Sequence, residues 1–234
     1  KNIVSCMQLL EYDRSFLASR ILFDKCNGSL IISGAFGMFK KETVIAAGGY
    51  DHGTMGEDME LVVKLHNYCL TNQIPYSIKY ATDAVCWTQV PEKLGDLKKQ
   101  RKRWHLGLFQ TMWKHRKMMA NRKYGAVGFI SYMYFLLYEL LSPFIEVFGV
   151  FTMVVAYLLD LLNLPFMLLF MLIYAAYNSI LTLTAFFSRI QTIDLTVKPK
   201  DCLKAIMLCF FEVTTLRFIM AFVRLTAFKG YKKK

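Results

Sequence analysis

Charge is scarce in this chain, and it is withheld unevenly. Asp, Glu, Lys and Arg make up 20% of the 234 residues, against about 25% in ordinary soluble domains. The 28 residues from Leu161 to Ser188 carry none at all. About 20 apolar residues suffice to cross a ~30 Å hydrocarbon core, so a wholly soluble fold is excluded. Disorder is excluded too, because 55% of the residues are apolar and must be buried. The six cysteines form no CxxC pair, and no His/Cys cluster has zinc spacing. They read as reduced, buried thiols. There is no N-terminal signal peptide, no internal repeat and no low-complexity segment. No Asp-x-Asp triplet occurs. The chain opens at Lys1 without an initiator Met and reads as the continuation of a longer polypeptide.

What charge there is is mostly basic: 29 Lys/Arg stand against 17 Asp/Glu, a net +12. Such a balance points to nucleic acid, anionic lipid or a phosphorylated substrate. Nucleic acid is the weakest of the three, because long apolar runs follow the basic cluster. Residues 1–92 mix short elements with turns. Apolar spacing from Gln8 to Phe23 predicts a helix. The run Ser29–Phe39, broken by Gly34 and Gly37, predicts a strand, a tight turn and a second strand. Thr43–Ala47 predicts a short helix stopped by Gly48-Gly49. Met59–Leu70 predicts a helix with Glu57 and Asp58 at its start, and 76–86 predicts β segments. The alternation of helix and strand implies an α/β layer, part of a larger domain.

Residues 93–123 hold eleven Lys/Arg and one Asp. Within them Trp104, Leu108, Phe109, Met112 and Trp113 fall on one broad helical face, with Gln110, Thr111, Lys114 and His115 opposite. This is the pattern of a basic amphipathic helix in a membrane interface, and a helix packed on protein shares it. Past Tyr124 the chain turns apolar. Val127–Leu159 contains Glu139, Pro143 and Glu146 and reads as one kinked helix or two meeting near Pro143. The stretch 203–228, interrupted by Glu212, Arg217 and Arg224, suits an interfacial or partly embedded helix better than a clean span. Basic segments at 114–123, 189–204 and 229–234 flank these runs, which puts all three on the cytoplasmic side of an inner cell membrane. The expected divisions are therefore 1–92, 93–123, 124–188 (transmembrane) and 189–234.

Two local constellations carry chemistry. Gly56-Glu57-Asp58 opens a helix, where free N–H groups stabilise a carboxylate. Read alone it is a cap or a general base. Gln100-Arg101-Lys102-Arg103-Trp104, continued by Gly107 and Gln110, offers cations for a diphosphate and a flat ring for a sugar. Read alone it is also an interfacial anchor.

The order of acid at a helix start, cationic-aromatic cluster and then apolar helices resembles the membrane-bound family 2 glycosyltransferases, the polysaccharide synthases of cellulose, chitin, hyaluronan and poly-N-acetylglucosamine. Gly56-Glu57-Asp58 matches the family's (T/G)ED motif, and Gln100, Arg103 and Trp104 match its QxxRW motif. Leu10-Glu11-Tyr12 with Arg20, and Tyr138-Glu139-Leu140-Leu141-Ser142-Pro143 with Glu146, are similar to the bacterial poly-β-1,6-N-acetylglucosamine synthase branch. The turn Ser33-Gly34-Ala35-Phe36-Gly37 looks like the family's acceptor-side loop.

The resemblance implies the C-terminal half of a GT-A-like α/β domain, then an interfacial amphipathic helix and a helical transmembrane region. It implies a UDP-sugar donor, a polysaccharide acceptor, membrane lipid around the chain, inversion at the transferred sugar, and room for an accessory export subunit. Asp58 takes the general base's place and Glu57 supports it. Gln100 and Arg103 take the diphosphate, Trp104 stacks on the acceptor sugar, and Ser33 and Gly34 line the acceptor side. The family binds Mg²⁺ or Mn²⁺ through a DxD motif. Since that motif is missing, those ligands are expected in an N-terminal half not included here, and this stretch alone is expected not to turn over. Three alternatives stand beside this reading: a non-processive transferase acting on a lipid, a channel or transporter subunit built on Glu139, Glu146 and Asp160, and an anchored nucleic-acid binder.

Overall fold

The computed structural model describes residues 2–15, 20–81, 84, 86–192 and 198–229. Ten helical elements carry it: α1 (Ile3–Arg14), α2 (Ile21–Lys25), α3 (Lys41–Ala46), α4 (Glu57–Thr71), α5 (Leu94–Lys114), α6 (Val127–Leu140), α7 (Ser142–Leu158), α8 (Leu164–Thr192), α9 (Pro199–Phe211) and α10 (Arg217–Leu225). The expected α/β architecture, half of a GT-A-like domain, is overturned: no β-strand forms among the described residues.

The physical reason lies in where the extended segments find hydrogen bonds. A strand needs a neighbour to take its backbone groups. Here side chains take them instead. The Ile78 N–H donates to Asn27 Oδ1 at 2.6 Å, and the Asn27 amide donates to the Tyr76 carbonyl at 3.2 Å. The Tyr80 N–H donates to Asp24 Oδ1 at 2.7 Å. The tight turn expected at Ser33-Gly34 is present, closed by Phe36 N–H to the Ser33 carbonyl at 3.0 Å, but no strand flanks it.

Other elements follow local chemistry. α3 stops where Gly48 and Gly49 take φ of +93° and +65°, a conformation glycine adopts without steric cost. Their N–H groups close on the Ile45 and Val44 carbonyls at 3.0 and 2.8 Å. α7 begins at Ser142 with Pro143 in its first turn, where a missing N–H costs nothing. The break expected near Pro143 therefore falls at Leu141. The run 164–191 is 28 residues long and 199–228 is 30 residues long, and each contains an 18-residue window of mean hydropathy 1.9. Both are long and apolar enough to cross a membrane, and the bent pair α6–α7 makes a third such span if counted as one. The stretch 203–228 thus belongs to a helix whose most apolar window equals that of α8.

The described residues divide into two compact units. One comprises 1–19, 90–98 and 142–225. In it α1 lies on α8 and α9, burying Leu10 among Ala205, Leu208 and Cys209. Its charges pair internally. Arg14 forks onto both Glu212 oxygens at 3.0 and 3.1 Å and donates to Thr182 Oγ1 at 2.8 Å. Arg217 donates twice to Glu146 Oε1, at 2.7 and 3.1 Å. Arg189 pairs with Asp13. Glu146 therefore serves helix–helix pairing, the arrangement that makes charge tolerable in an apolar bundle.

The other unit comprises 20–89, 99–141 and 226–234. Leu30, Met59, Val63, Met112, Met118, Tyr124, Val127, Tyr132 and Leu140 form its core. Breaking a buried ion pair leaves one charge stranded and costs about 3 kcal/mol or more. Arg14→Leu should therefore lower the thermal unfolding temperature in detergent markedly. Adding Glu212→Leu should recover most of the loss, a coupling that a double-mutant cycle measures.

Candidate active site

The site lies in the second unit, at the N-terminus of α4. α4 starts because Glu57, Asp58 and Glu60 crowd its first turn, where the helix dipole favours anions. Met59, Leu61, Val62, Val63, Leu65 and Cys69 then bury its apolar side. Glu57 is exposed and Asp58 half-buried. The Gly34 N–H donates to Asp58 Oδ2 at 3.2 Å and the Met59 N–H to Oδ1 at 2.8 Å. The loop of Ser33 and Gly34 thus lies directly against the Asp58 carboxylate. A Cβ placed on Gly34 would sit 3.5 Å from that of Asp58, so the approach is close but not forced.

α5 carries the second motif. Gln100, Arg103, Trp104, Gly107 and Gln110 recur at helical spacing along one face. Arg103 and Trp104 are exposed, and Arg101, buried, stacks its guanidinium 4.7 Å from the Trp104 ring centre. Gln100 Oε1 is shut off from solvent and meets no donor among the described residues. The two motifs touch through glycine. A Cβ on Gly107 would lie 2.6 Å from Gly56 N and 2.8 Å from Gly56 Cα. Gly56 is two residues before Asp58, and Gly107 three after Trp104, so the contact sets the start of α4 against α5 one turn past Trp104, with Gln100 and Arg103 farther back along the same helix.

Behind the acid turn lies a charge network. Glu60 is fully buried. It takes Lys114 at 2.7 Å, His115 at 3.2 Å and Lys64 at 3.2 Å. Burial works to raise its carboxyl, but hydrogen bonds from His115, Lys114 and Lys64 prevail and hold it down at about 2. Lys114 also reaches Asp51 at 2.5 Å, which lowers that carboxyl. The polar face expected of an interfacial helix is thus partly internal: Thr111 and His115 are buried, while Trp104 and Trp113 are exposed. α5 thus packs on protein along part of its polar face, the arrangement whose pattern an interfacial helix shares.

Arg20 was legible only through its place in the family likeness. Burial lowers its guanidinium to about 10, against the pull of Tyr80, Asp58 and Glu139. A cation thus stands in the surroundings of Asp58, drawn from the other side of α4's N-terminus in sequence. No local pattern announces it, because the relation is long-range.

A buried histidine ties the loop segment to the back of α4. His66 Nε2 lies 2.9 Å from the Ser29 carbonyl, which only accepts, so Nε2 carries the proton. Nδ1 then accepts from the Tyr76 hydroxyl at 2.6 Å. Burial lowers His66 to about 4 and pushes the Tyr76 hydroxyl up.

Among the described residues no three His, Cys, Asp or Glu side chains converge as metal ligands. Among the described residues the side chains alone form no Mg²⁺ or Mn²⁺ site.

The site joins an acid at a helix start to a cationic-aromatic helix, ahead of apolar helices. The chain belongs to glycosyl transferase family group 2, whose model matches residues 1–187. It is similar to the poly-beta-1,6-N-acetyl-D-glucosamine synthase of Staphylococcus aureus strain COL, 45% identical over 76 residues, or 32% of this chain and 17% of that protein. The synthase of that name from Staphylococcus epidermidis is 42% identical over the same shares. The matched stretch thus spans under a fifth of the curated relatives. No solved structure matches significantly.

His66 has a folded value near 4, below the ordinary 6.5. The folded state therefore binds fewer protons between these values, and stability present above pH 6.5 is lost as pH falls toward 4. Wild type should lose up to about 3 kcal/mol across that window. His66→Gln should show a flatter pH profile of unfolding temperature from a lower starting point.

Proposed function

We propose that the chain is part of a membrane glycosyltransferase that moves a sugar from a UDP-sugar to a growing β-linked polysaccharide, with inversion at the transferred carbon. The adjacency of Asp58 and the Gln100–Trp104 helix, through Gly56 and Gly107, carries this reading. An inverting transfer needs one base and one stabilised leaving group. Asp58 takes the proton of the acceptor hydroxyl. The hydroxyl oxygen bonds to the anomeric carbon as the carbon–oxygen bond to phosphate breaks, and that electron pair leaves with UDP. Arg103 and the Gln100 amide hold the diphosphate as its charge grows. Trp104 stacks on the acceptor sugar, and the Ser33–Gly34 turn bounds the acceptor side while its N–H steadies the Asp58 carboxylate. Glu57, exposed beside it, keeps the turn acidic. The Gln100 Oε1 position, an unmet acceptor, is a point where substrate supplies the donor.

The membrane reading rests on α8 and its apolar neighbours. The α6–α7 pair and α8 cross the inner membrane, and the basic segments that flank them keep the site cytoplasmic. The likeness to poly-β-1,6-N-acetylglucosamine synthases makes an N-acetylglucosamine polymer the first product to assay, with an export subunit as partner. A lipid acceptor receiving one sugar is the second reading, and product length separates the two.

Asp58→Asn in the full-length protein should lower sugar transfer at least about 1,000-fold, while membrane extraction behaviour stays as in wild type. Radiolabelled UDP-glucose, UDP-N-acetylglucosamine and UDP-glucuronate read the activity and the donor together. Turnover within tenfold of wild type removes Asp58 from the base's role.

A further inference from the structure

Resting on the reading of Asp58 as base, we propose that Gln110 and Thr54 are positioning residues. Together they lock the acid turn onto the helix that bears Gln100, Arg103 and Trp104. Gln110 Oε1 accepts the Met55 N–H at 2.8 Å and the Thr54 hydroxyl at 3.3 Å. The Thr54 oxygen in turn accepts the Gly56 N–H at 3.2 Å. The residue ahead of α4's first turn, Gly56, has no side chain with which to cap it. Gln110 of α5 instead takes the Met55 N–H just ahead of the cap, and Thr54, held by the same Gln110 oxygen, takes the N–H of Gly56 itself.

The device needs two glycines. Gln110 reaches the turn because Gly107, three residues earlier on the same face, lets the Gly56 backbone settle on α5. Bulk at either position drives the turn outward, and the hydrogen bonds go with it. Nothing in this arrangement places Gln110 or Thr54 on substrate. Both act through the carboxylate two residues beyond Gly56. Their removal lets the base drift relative to the groups that hold the leaving diphosphate. The loss then falls on kcat, while the donor groups of α5 keep KM for the nucleotide sugar.

The test uses the full-length protein in membranes, with the nucleotide sugar that the wild type turns over. Gln110→Met removes the acceptor at similar volume, whereas Gln110→Glu keeps an oxygen in place. Gln110→Met should lower kcat about 10- to 100-fold, with KM within about 2-fold, as a misplaced base predicts. Gln110→Glu should return to within about 5-fold of wild type. Thr54→Val, a milder change in a half-buried loop, should lower kcat about 3- to 10-fold, and Thr54→Ser should restore it.

Wild-type kcat in both Gln110→Met and Thr54→Val overturns the lock. So does a loss seen in KM alone, or Glu and Ser variants no better than Met and Val. If Gln110→Met does not fold, judged by its unfolding temperature, the Thr54 pair decides. Amide exchange at Met55 and Gly56 reads the same lock without turnover: it should quicken in Thr54→Val, and unchanged exchange overturns the proposal. Asp58→Asn run alongside separates the failures. An active Asp58→Asn removes the base reading and leaves the exchange result standing. An inactive Asp58→Asn beside a fully active Gln110→Met removes the lock alone.

Discussion

Two backbones that meet without side chains between them set the geometry of the candidate site. A helix with ordinary residues holds a neighbour at 8–10 Å between axes. Gly107 and Gly56 abolish that spacing locally: a Cβ on Gly107 would collide with main-chain atoms at 2.6 Å, and one on Gly56 would be crowded at 3.2 Å. Because Gly56 starts α4, its placement fixes where the positive end of that helix and its carboxylates project. Because Gly107 sits one turn past Trp104, the same approach fixes which stretch of α5 faces them. A motif of three residues and the helix that bears another of five, more than forty residues apart in sequence, are set against each other through a pair of missing methyl groups.

The acids of α4 are then sorted by direction. Residues two apart on a helix do not share a face. Glu60 points into the protein, where Lys64, Lys114 and His115 neutralise it and hold its carboxyl near 2. Its charge is absorbed in joining α4 to α5. Asp58 points to the Ser33–Gly34 turn, where its half-buried carboxylate accepts the Gly34 and Met59 N–H groups. One turn of helix therefore carries both an acid tied into a cation network and an acid held only half-buried beside a loop, and the difference comes from their neighbours and not from their chemistry.

This sorting explains what the sequence discloses and what it does not. Local chemistry is legible: the double glycine that ends α3, the acidic start of α4, and the charge-free run of α8. Both motifs are legible as residues too. Their meeting is not, since no local pattern reports that residue 56 touches residue 107. Alternation over 29–39 and 76–86 predicts strands, but it is silent about the partner a strand needs, and residues 82, 83 and 85 of the second run lie outside the described residues. Asn27 and Asp24 side chains fill the place of a neighbouring strand, so the expected sheet does not form. α5 misleads for a related reason. Thr111 and His115 look like a solvent face, yet a buried acid, Glu60, requires polar company inside.

The two glutamates of the apolar run 127–158 look alike in sequence and part ways in the structure. A carboxylate in apolar surroundings is tolerable when a cation meets it, and Glu146 is met by the fork of Arg217. It is thereby committed to holding α7 and α10 together and has little left with which to engage a polar chain. Glu139 stands instead in the field of Arg20, which Asp58 shares. One buried guanidinium thus lies under the influence of both the acid at α4's start and the acid of α6. The surroundings of Asp58 therefore extend to the first apolar helix, and Glu139, unlike Glu146, belongs to them.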